Sequence, residues 1–206
     1  MSKHPLIVFE GVETSGKSTN LKKAIKYFKK KKIKYITFRE PGGTKFSEKL
    51  RSLMLNKKSK LNVKTDLFLL MASRSENIDK IFKKNFKNKV ILIDRFIDST
   101  LAYQHYGMGL DKDLILKMNN FLLGNLKPNF TFLSVVNKKN MLKRLKSRKN
   151  NNKYDNFKYN FYNKVQKGFL KIANKNKSKY LILDSNKDNL KIIENKLINK
   201  IKKILK

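Results

Sequence analysis

Cysteine is missing from the 206 residues and histidine occurs only twice. Disulfides, thiolate chemistry, iron–sulfur clusters and cysteine zinc sites are therefore excluded, and a histidine metal site has almost no ligands to draw on. The chemistry must run on oxygen ligands, ammonium and guanidinium groups, or backbone amides. No stretch approaches the ~18 consecutive apolar residues of a membrane span, and residues 1–10 lack the basic, apolar and small-residue zones of a signal peptide. These absences predict a soluble cytoplasmic protein with no membrane partner. Acidic residues are scarce as well: 15 Asp and Glu stand against 50 Lys and Arg, a formal net charge of +35. Such an excess suggests a nucleic-acid binder first. Its distribution argues otherwise, because residues 1–113 carry +15 and residues 114–206 carry +20, with no separate basic tail. Arginine is also rare. Only Arg39, Arg51, Arg74, Arg95, Arg144 and Arg148 occur, and the other 44 basic residues are lysine. A lysine excess spread over the whole chain reads as background composition and predicts no specific nucleic-acid partner.

The length suits a single domain over residues 1–206. Short branched or aromatic runs at Leu6–Phe9, Tyr35–Phe38, Val90–Ile93, Phe130–Val136 and Tyr180–Leu183 have the character of buried parallel strands. Amphipathic stretches lie between them at 18–31, 46–55, 65–84, 97–123 in two pieces, 138–147, 157–175 and 188–205. This alternation predicts an α/β fold: a five-stranded parallel sheet with helices on both faces, in three layers. The apolar-free stretch Lys149–Lys153 is expected to be a mobile surface loop.

The first chemical motif opens on the first strand. Gly11-Val12-Glu13-Thr14-Ser15-Gly16-Lys17-Ser18 fits G-x-x-x-x-G-K-[ST] between a strand and a helical segment starting at Thr19. Glycines let the backbone wrap closely, so its amides and the helix N-terminus point at a polyphosphate. Lys17 is expected to reach the terminal phosphates, and the Ser18 hydroxyl to ligate Mg2+. Residues 11–19 are thus the candidate cradle for ATP or GTP. Guanine-specific proteins commonly read the base with N-K-x-D; here Asn137-Lys138-Lys139-Asn140 lacks the carboxylate, so it is a composition match and ATP is preferred. A small ATP-dependent nucleotide kinase fits the length and needs a second site holding an acceptor phosphate.

Four blocks in order carry a resemblance over the whole length. They are Phe9–Ser18, Phe38-Arg-Glu-Pro-Gly-Gly-Thr44, Ala72-Ser-Arg74 and Asp94-Arg-Phe-Ile-Asp-Ser-Thr-Leu-Ala-Tyr-Gln104. The sequence resembles the bacterial thymidylate kinases, P-loop nucleoside monophosphate kinases with a mobile lid, here at about 147–156. The resemblance implies transfer of the ATP γ-phosphate to thymidine monophosphate, with Mg2+, in a homodimer. By the same matching, Arg95 bridges the acceptor phosphate and the transferring group, and Arg51 is a second holder of the monophosphate. Asp94 orients a magnesium-bound water, with a helix cap as its alternative. Arg74 and Gln104 read the thymine. Tyr103 packs beside the deoxyribose, and Glu13 contacts the 3′-hydroxyl near the metal. Phe38, Pro41, Leu70 and Ser99 complete the acceptor site. Because Thr14 carries no charge, the resemblance assigns the mobile catalytic arginine to the lid, as Arg148, with Arg144 stacking on adenine. The alternative for Arg74 is a surface ion pair with Asp79 or Glu76.

Several positions depart from the family pattern. Leu70 stands where an aromatic residue usually stacks on thymine, with Phe68 as a partial substitute, and Phe96 replaces a tyrosine. Lid positions commonly arginine or glutamate are Lys146, Lys153 and Asp155, and the run after Gln104 reads His105-Tyr-Gly-Met108-Gly109. Leu70 and Met108 keep a second reading open, a kinase of another pyrimidine deoxynucleoside monophosphate. A basic nucleic-acid-binding ATPase is the third.

Overall fold

The computed structural model describes residues 4–147 and 153–205. Its strands are β1 (Leu6–Glu10), β2 (Tyr35–Arg39), β3 (Val90–Asp94), β4 (Phe130–Val135) and β5 (Tyr180–Asp184). They form one parallel sheet in the order β2-β3-β1-β4-β5. All five expected strands are present, and four run on to a polar residue: Glu10, Arg39, Asp94 and Asp184. Apolar patterning ends a strand too early at its C-terminal edge, where side chains leave the core for the site.

Both faces of the sheet are covered, which is why the strands read as continuous apolar runs. Ile7, Phe9, Leu92, Phe132 and Leu183 pack with helices α1 (Lys17–Lys30) and α9 (Leu190–Ile204). Leu6, Val8, Ile91 and Ile93 pack on the other face with Phe82 and Phe96. The remaining α-helices are α2 (Lys45–Leu55), α3 (Val63–Asn77), α4 (Lys83–Asn85), α5 (Ile97–Thr100), α6 (Lys112–Leu123), α7 (Lys138–Lys146) and α8 (Tyr159–Lys175). Thr44, Asn62 and Asp111 cap α2, α3 and α6 by accepting from backbone amides of the first turn. Asn137 does the same for α7, accepting from the Asn140 amide at 2.8 Å. The N-K-x-N run is therefore a helix start.

Two expected helices contain wider turns. The segment 65–84 is α3, a π-helical turn at Ile78–Phe82, then α4. After α5 the chain continues as a π-helix over Leu101–Gly107, whose wider spacing carries Tyr103 and Gln104. Packing selects it: α8 lies directly against this segment, and a Cβ on Gly168 would meet the Tyr106 ring at 2.5 Å. With β2 and β3 on one side of β1 and β4 and β5 on the other, the connections part above the C-terminal strand ends and open a crevice there.

Candidate active site

The floor of the crevice is the loop between β1 and α1. Gly16 takes a left-handed φ of +95° at the N-cap of α1, and no side chain caps that helix or adds acid to its first turn. The first amides are left open for an anion. Every residue from Val12 to Thr19 lines a cleft of about 750 Å3. At Gly11 a side chain has no room, since a Cβ there would meet the Ser134 carbonyl oxygen at 2.4 Å. The buried Lys17 ammonium pairs with Asp94 at the end of β3. Burial and then the Arg95 guanidinium hold Lys17 below the usual lysine range. Burial pushes Asp94 up, but the Lys17 and Arg95 cations outweigh it and leave the carboxyl below its usual range. Asp94 is not a helix cap. Thr14 Oγ1 and Ser15 Oγ are buried without a partner in this loop.

Five arginines line the same cleft: Arg39, Arg51, Arg74, Arg95 and Arg144. Arg95 follows β3 at φ +67°, an uncommon setting for a residue with a side chain. Its amide donates to the Phe9 carbonyl at 2.9 Å. Its guanidinium donates to Glu13 at 2.9 Å and to Ser99 Oγ at 3.2 Å, and lies 5.1 Å over the Tyr103 ring. Burial would lower its affinity for the proton, but Tyr103, Glu13 and Asp94 raise it further, so Arg95 stays charged. Glu13 also accepts from the Tyr103 hydroxyl. Arg51 reaches in from α2 and donates to the Pro41 carbonyl at 2.8 Å; burial, then the neighbouring Arg39, pulls it down to about 10. Arg39, at the end of β2, is held by Glu48 at 2.9 Å. Sequence reasoning assigned Arg39 no role. Its signal was its place, directly after the apolar run of an edge strand and before Glu40-Pro41-Gly42.

Beyond Arg39, Arg51 and Arg95 the cleft is lined by Arg74, Gln104, Leu70, Pro41, Ser99 and Tyr103. Arg74 is 1% exposed. It is paired with Glu40 at 2.7 Å, donates to Thr100 Oγ1 at 3.1 Å and to Asn119, and lies 5.2 Å over Phe96. The surface pair with Asp79 or Glu76 does not form; Asp79 instead bonds Lys83 and Lys80. Gln104 is buried, and its Oε1 has no partner. Phe38 does not line the cleft, since it packs edge-on against Phe82 in the core. Phe68 is no substitute for an aromatic at Leu70: it is 61% exposed on the outer side of α3.

The sequence model described as thymidylate kinase matches residues 9–197. The chain is 37% identical over 188 residues to a thymidylate kinase of Sulfurihydrogenibium sp., covering 90% of this chain and 91% of that one. It is also 37% identical over 201 residues to a thymidylate kinase of Wolbachia pipientis, covering 95% and 98%. The chain belongs to the thymidylate kinase family. Its fold matches the crystal structure of thymidylate kinase from Ehrlichia chaffeensis with a TM-score of 0.78 at 29% identity, over 98% of this chain and all of that one.

Family membership gives the remaining residues a frame. Arg144, on α7, donates to the Thr14 carbonyl at 2.8 Å and lies 3.4 Å from Ser185 Oγ, at the side of the cleft lined by Leu183, Leu190 and Ile193. Arg148 lies outside the described residues, as does most of the loop 149–153. The chain returns as a 3-10 turn at Lys153–Asn156. There Lys153 bonds both oxygens of the buried Asp66 on α3, at 2.9 and 2.7 Å, and Tyr154 lies edge-on to Tyr103 and lines the cleft. Neither Asp66 nor Tyr154 was singled out from the sequence of this family member. Glu10 was also missed. It is fully buried and accepts from the Phe96 amide at 2.8 Å, the Ser99 amide at 3.2 Å and Ser99 Oγ at 2.5 Å. Burial, reinforced by Asp98, pushes Glu10 up to about 8; burial pushes Asp98 up to about 6, although Tyr180 donates to it at 2.8 Å.

Proposed function

We propose that the chain transfers the γ-phosphate of ATP to the 5′-phosphate of thymidine monophosphate, giving ADP and thymidine diphosphate. The observation that carries this reading is one continuous cleft holding an open helix N-terminus with Lys17, the guanidiniums of Arg39, Arg51 and Arg95, and the buried Arg74 and Gln104. Phosphoryl transfer needs positioning and charge neutralisation more than a base, and the cleft is rich in fixed cations. The loop amides and Lys17 hold the ATP phosphates, while Arg39 and Arg51 hold the acceptor phosphate. Arg95 spans the two as its fork reaches both sets of oxygens. Arg144 borders the adenine, and Arg148 belongs to the lid at about 147–156 of a single kinase domain. Ser18 and Asp94 offer hard oxygen donors and line the cleft, a sparse set suited to Mg2+, which keeps several waters. Ser18 would ligate the ion directly and Asp94 through a water, and the bound ion neutralises phosphate charge.

Thymine offers an N3 proton to Gln104 Oε1 and a ring carbonyl to Arg74. Cytosine offers an acceptor at N3 and an amino group instead, leaving both buried groups unpaired. Thymidine monophosphate is expected to turn over at least about 10^3-fold better than deoxycytidine monophosphate. Coupled ADP-release measurements over a panel of nucleoside monophosphates test this; ADP release independent of any monophosphate would refute it. The nucleic-acid-binding ATPase is not favoured, because the family match spans nearly the whole chain.

Among the described residues no helix is long and apolar enough to cross a membrane, and a cytoplasmic homodimer is the assembly we infer. Helices α2, α3 and α6 pack side by side and leave Leu53 57%, Phe68 61% and Phe121 87% exposed, apolar surface that a second copy would cover. Phe121→Asp is expected to convert the dimer to monomer in sedimentation velocity, with the wild-type mass twice that of the variant.

A further inference from the structure

We propose that Glu10 is a positioning residue for Arg95, acting through the Ser99 hydroxyl. Glu10 ends β1 immediately before the phosphate-binding loop, yet its side chain turns away from the nucleotide and into the connection after β3. One oxygen, Oε1, accepts from the Phe96 and Ser99 amides. Those bonds clamp the turn in which Arg95 holds φ +67°, a conformation that persists only when its surroundings over-determine it. The other oxygen, Oε2, accepts from the Ser99 hydroxyl at 2.5 Å. With its hydrogen committed to Glu10, Ser99 Oγ turns its lone pairs toward Arg95 and accepts from the guanidinium at 3.2 Å. Ser99 and Glu13 then fix the fork at two corners, and the other N–H groups remain for phosphate oxygens.

Glutamine at position 10 separates the two halves of this arrangement. Its carbonyl oxygen can still serve both amides. Its NH2 group would face Ser99 and donate to it, so the hydroxyl would lose the acceptor that fixes its hydrogen and would no longer be held in one orientation toward Arg95. A small displacement of a group that must meet the transferring phosphoryl is costly in rate.

The proposal rests on the assignment of Arg95 to the phosphoryl groups, and Arg95→Ala separates the two. If Arg95→Ala turns over like wild type, the assignment of Arg95 fails. If Arg95→Ala is impaired while Glu10→Gln is not, the positioning role alone is overturned. The assay is run at pH 9, above the value of about 8 to which burial pushes Glu10, so that wild type carries the carboxylate. Glu10→Gln and Ser99→Ala are each expected to lower kcat about tenfold, with KM for ATP unchanged. The double variant should be no slower than the poorer single, since both break one chain of contacts. Losses that multiply in the double variant would overturn the proposal. Should Glu10→Gln fail to fold, nitrogen-15 NMR of the Arg95 guanidinium decides it. Ser99→Ala should release the restricted rotation seen in wild type, and an unchanged signal would overturn the link.

Discussion

Arg95→Ala is expected to lower kcat by about 10^3-fold, with a smaller loss in affinity for ATP. The expectation follows from where the guanidinium sits and what it leaves behind. Arg95 lines the cleft between Asp94, Glu13 and the Tyr103 ring, so its charge acts in a partly dehydrated setting where it is worth more than in water. Removing it also strips Glu13 of its cation, and that carboxylate would then repel the incoming phosphates. Arg95→Lys should recover little, because one ammonium cannot serve Ser99, Glu13 and two sets of phosphate oxygens together. Single-turnover kinetics with saturating nucleotides isolate the chemical step. A loss confined to KM would show that Arg95 only binds.

The largest effect on stability is expected at Glu40, which lies outside the phosphate machinery. Glu40 is 3% exposed and its partner Arg74 is 1% exposed, so Glu40→Ala leaves a guanidinium buried without its counter-charge. The cost of breaking such a pair is about 3–5 kcal/mol, against a total stability of roughly 5–15 kcal/mol for a domain. Glu40 also accepts from Asn77 at 3.3 Å, so the variant removes that bond too, while Asn77 keeps its 2.8 Å bond to the Gly42 carbonyl. Urea denaturation at pH 7 should show a lower midpoint with an unchanged slope. Arg74 would lose its fixed direction toward the base, and KM for thymidine monophosphate should rise with it. Thr100→Val removes only one neutral bond to the same group and should cost about 1 kcal/mol.

These two residues mark how much of the site could be read from the chain. Gly11–Ser18 and Asp94–Arg95 are local strings whose chemistry follows from residue type and from their place after a strand, and the structure brings them together around Lys17 and Arg95. Arg51, Pro41, Ser99, Tyr103 and Gln104 likewise reach the cleft. Phe38 does not, because alternation along an edge strand cannot say whether an aromatic ring faces the site or Phe82. The resemblance placed Arg74 at the acceptor end of the site, and it lines the cleft. Its burial against Glu40, Thr100 and Asn119 was not legible, since those partners are 34, 26 and 45 residues away.

The sequence by itself determined the class of chemistry and the sheet. With no cysteine and two histidines, oxygen ligands and cations were all that remained, and five apolar runs spaced by amphipathic stretches admit few arrangements besides a covered parallel sheet. The resemblance already pointed to Arg51 and Arg95, and the tertiary structure added Arg39 beside them. The +35 charge is mostly lysine, whereas the guanidiniums of Arg39, Arg51 and Arg95 meet in one cleft. Only the tertiary structure decided the π-helix that carries Tyr103 and Gln104, and the inward turn of Glu10. The reason is physical: residue type and local period are properties of neighbours along the chain, but the direction of a buried polar side chain is set by whichever distant group satisfies its hydrogen bonds.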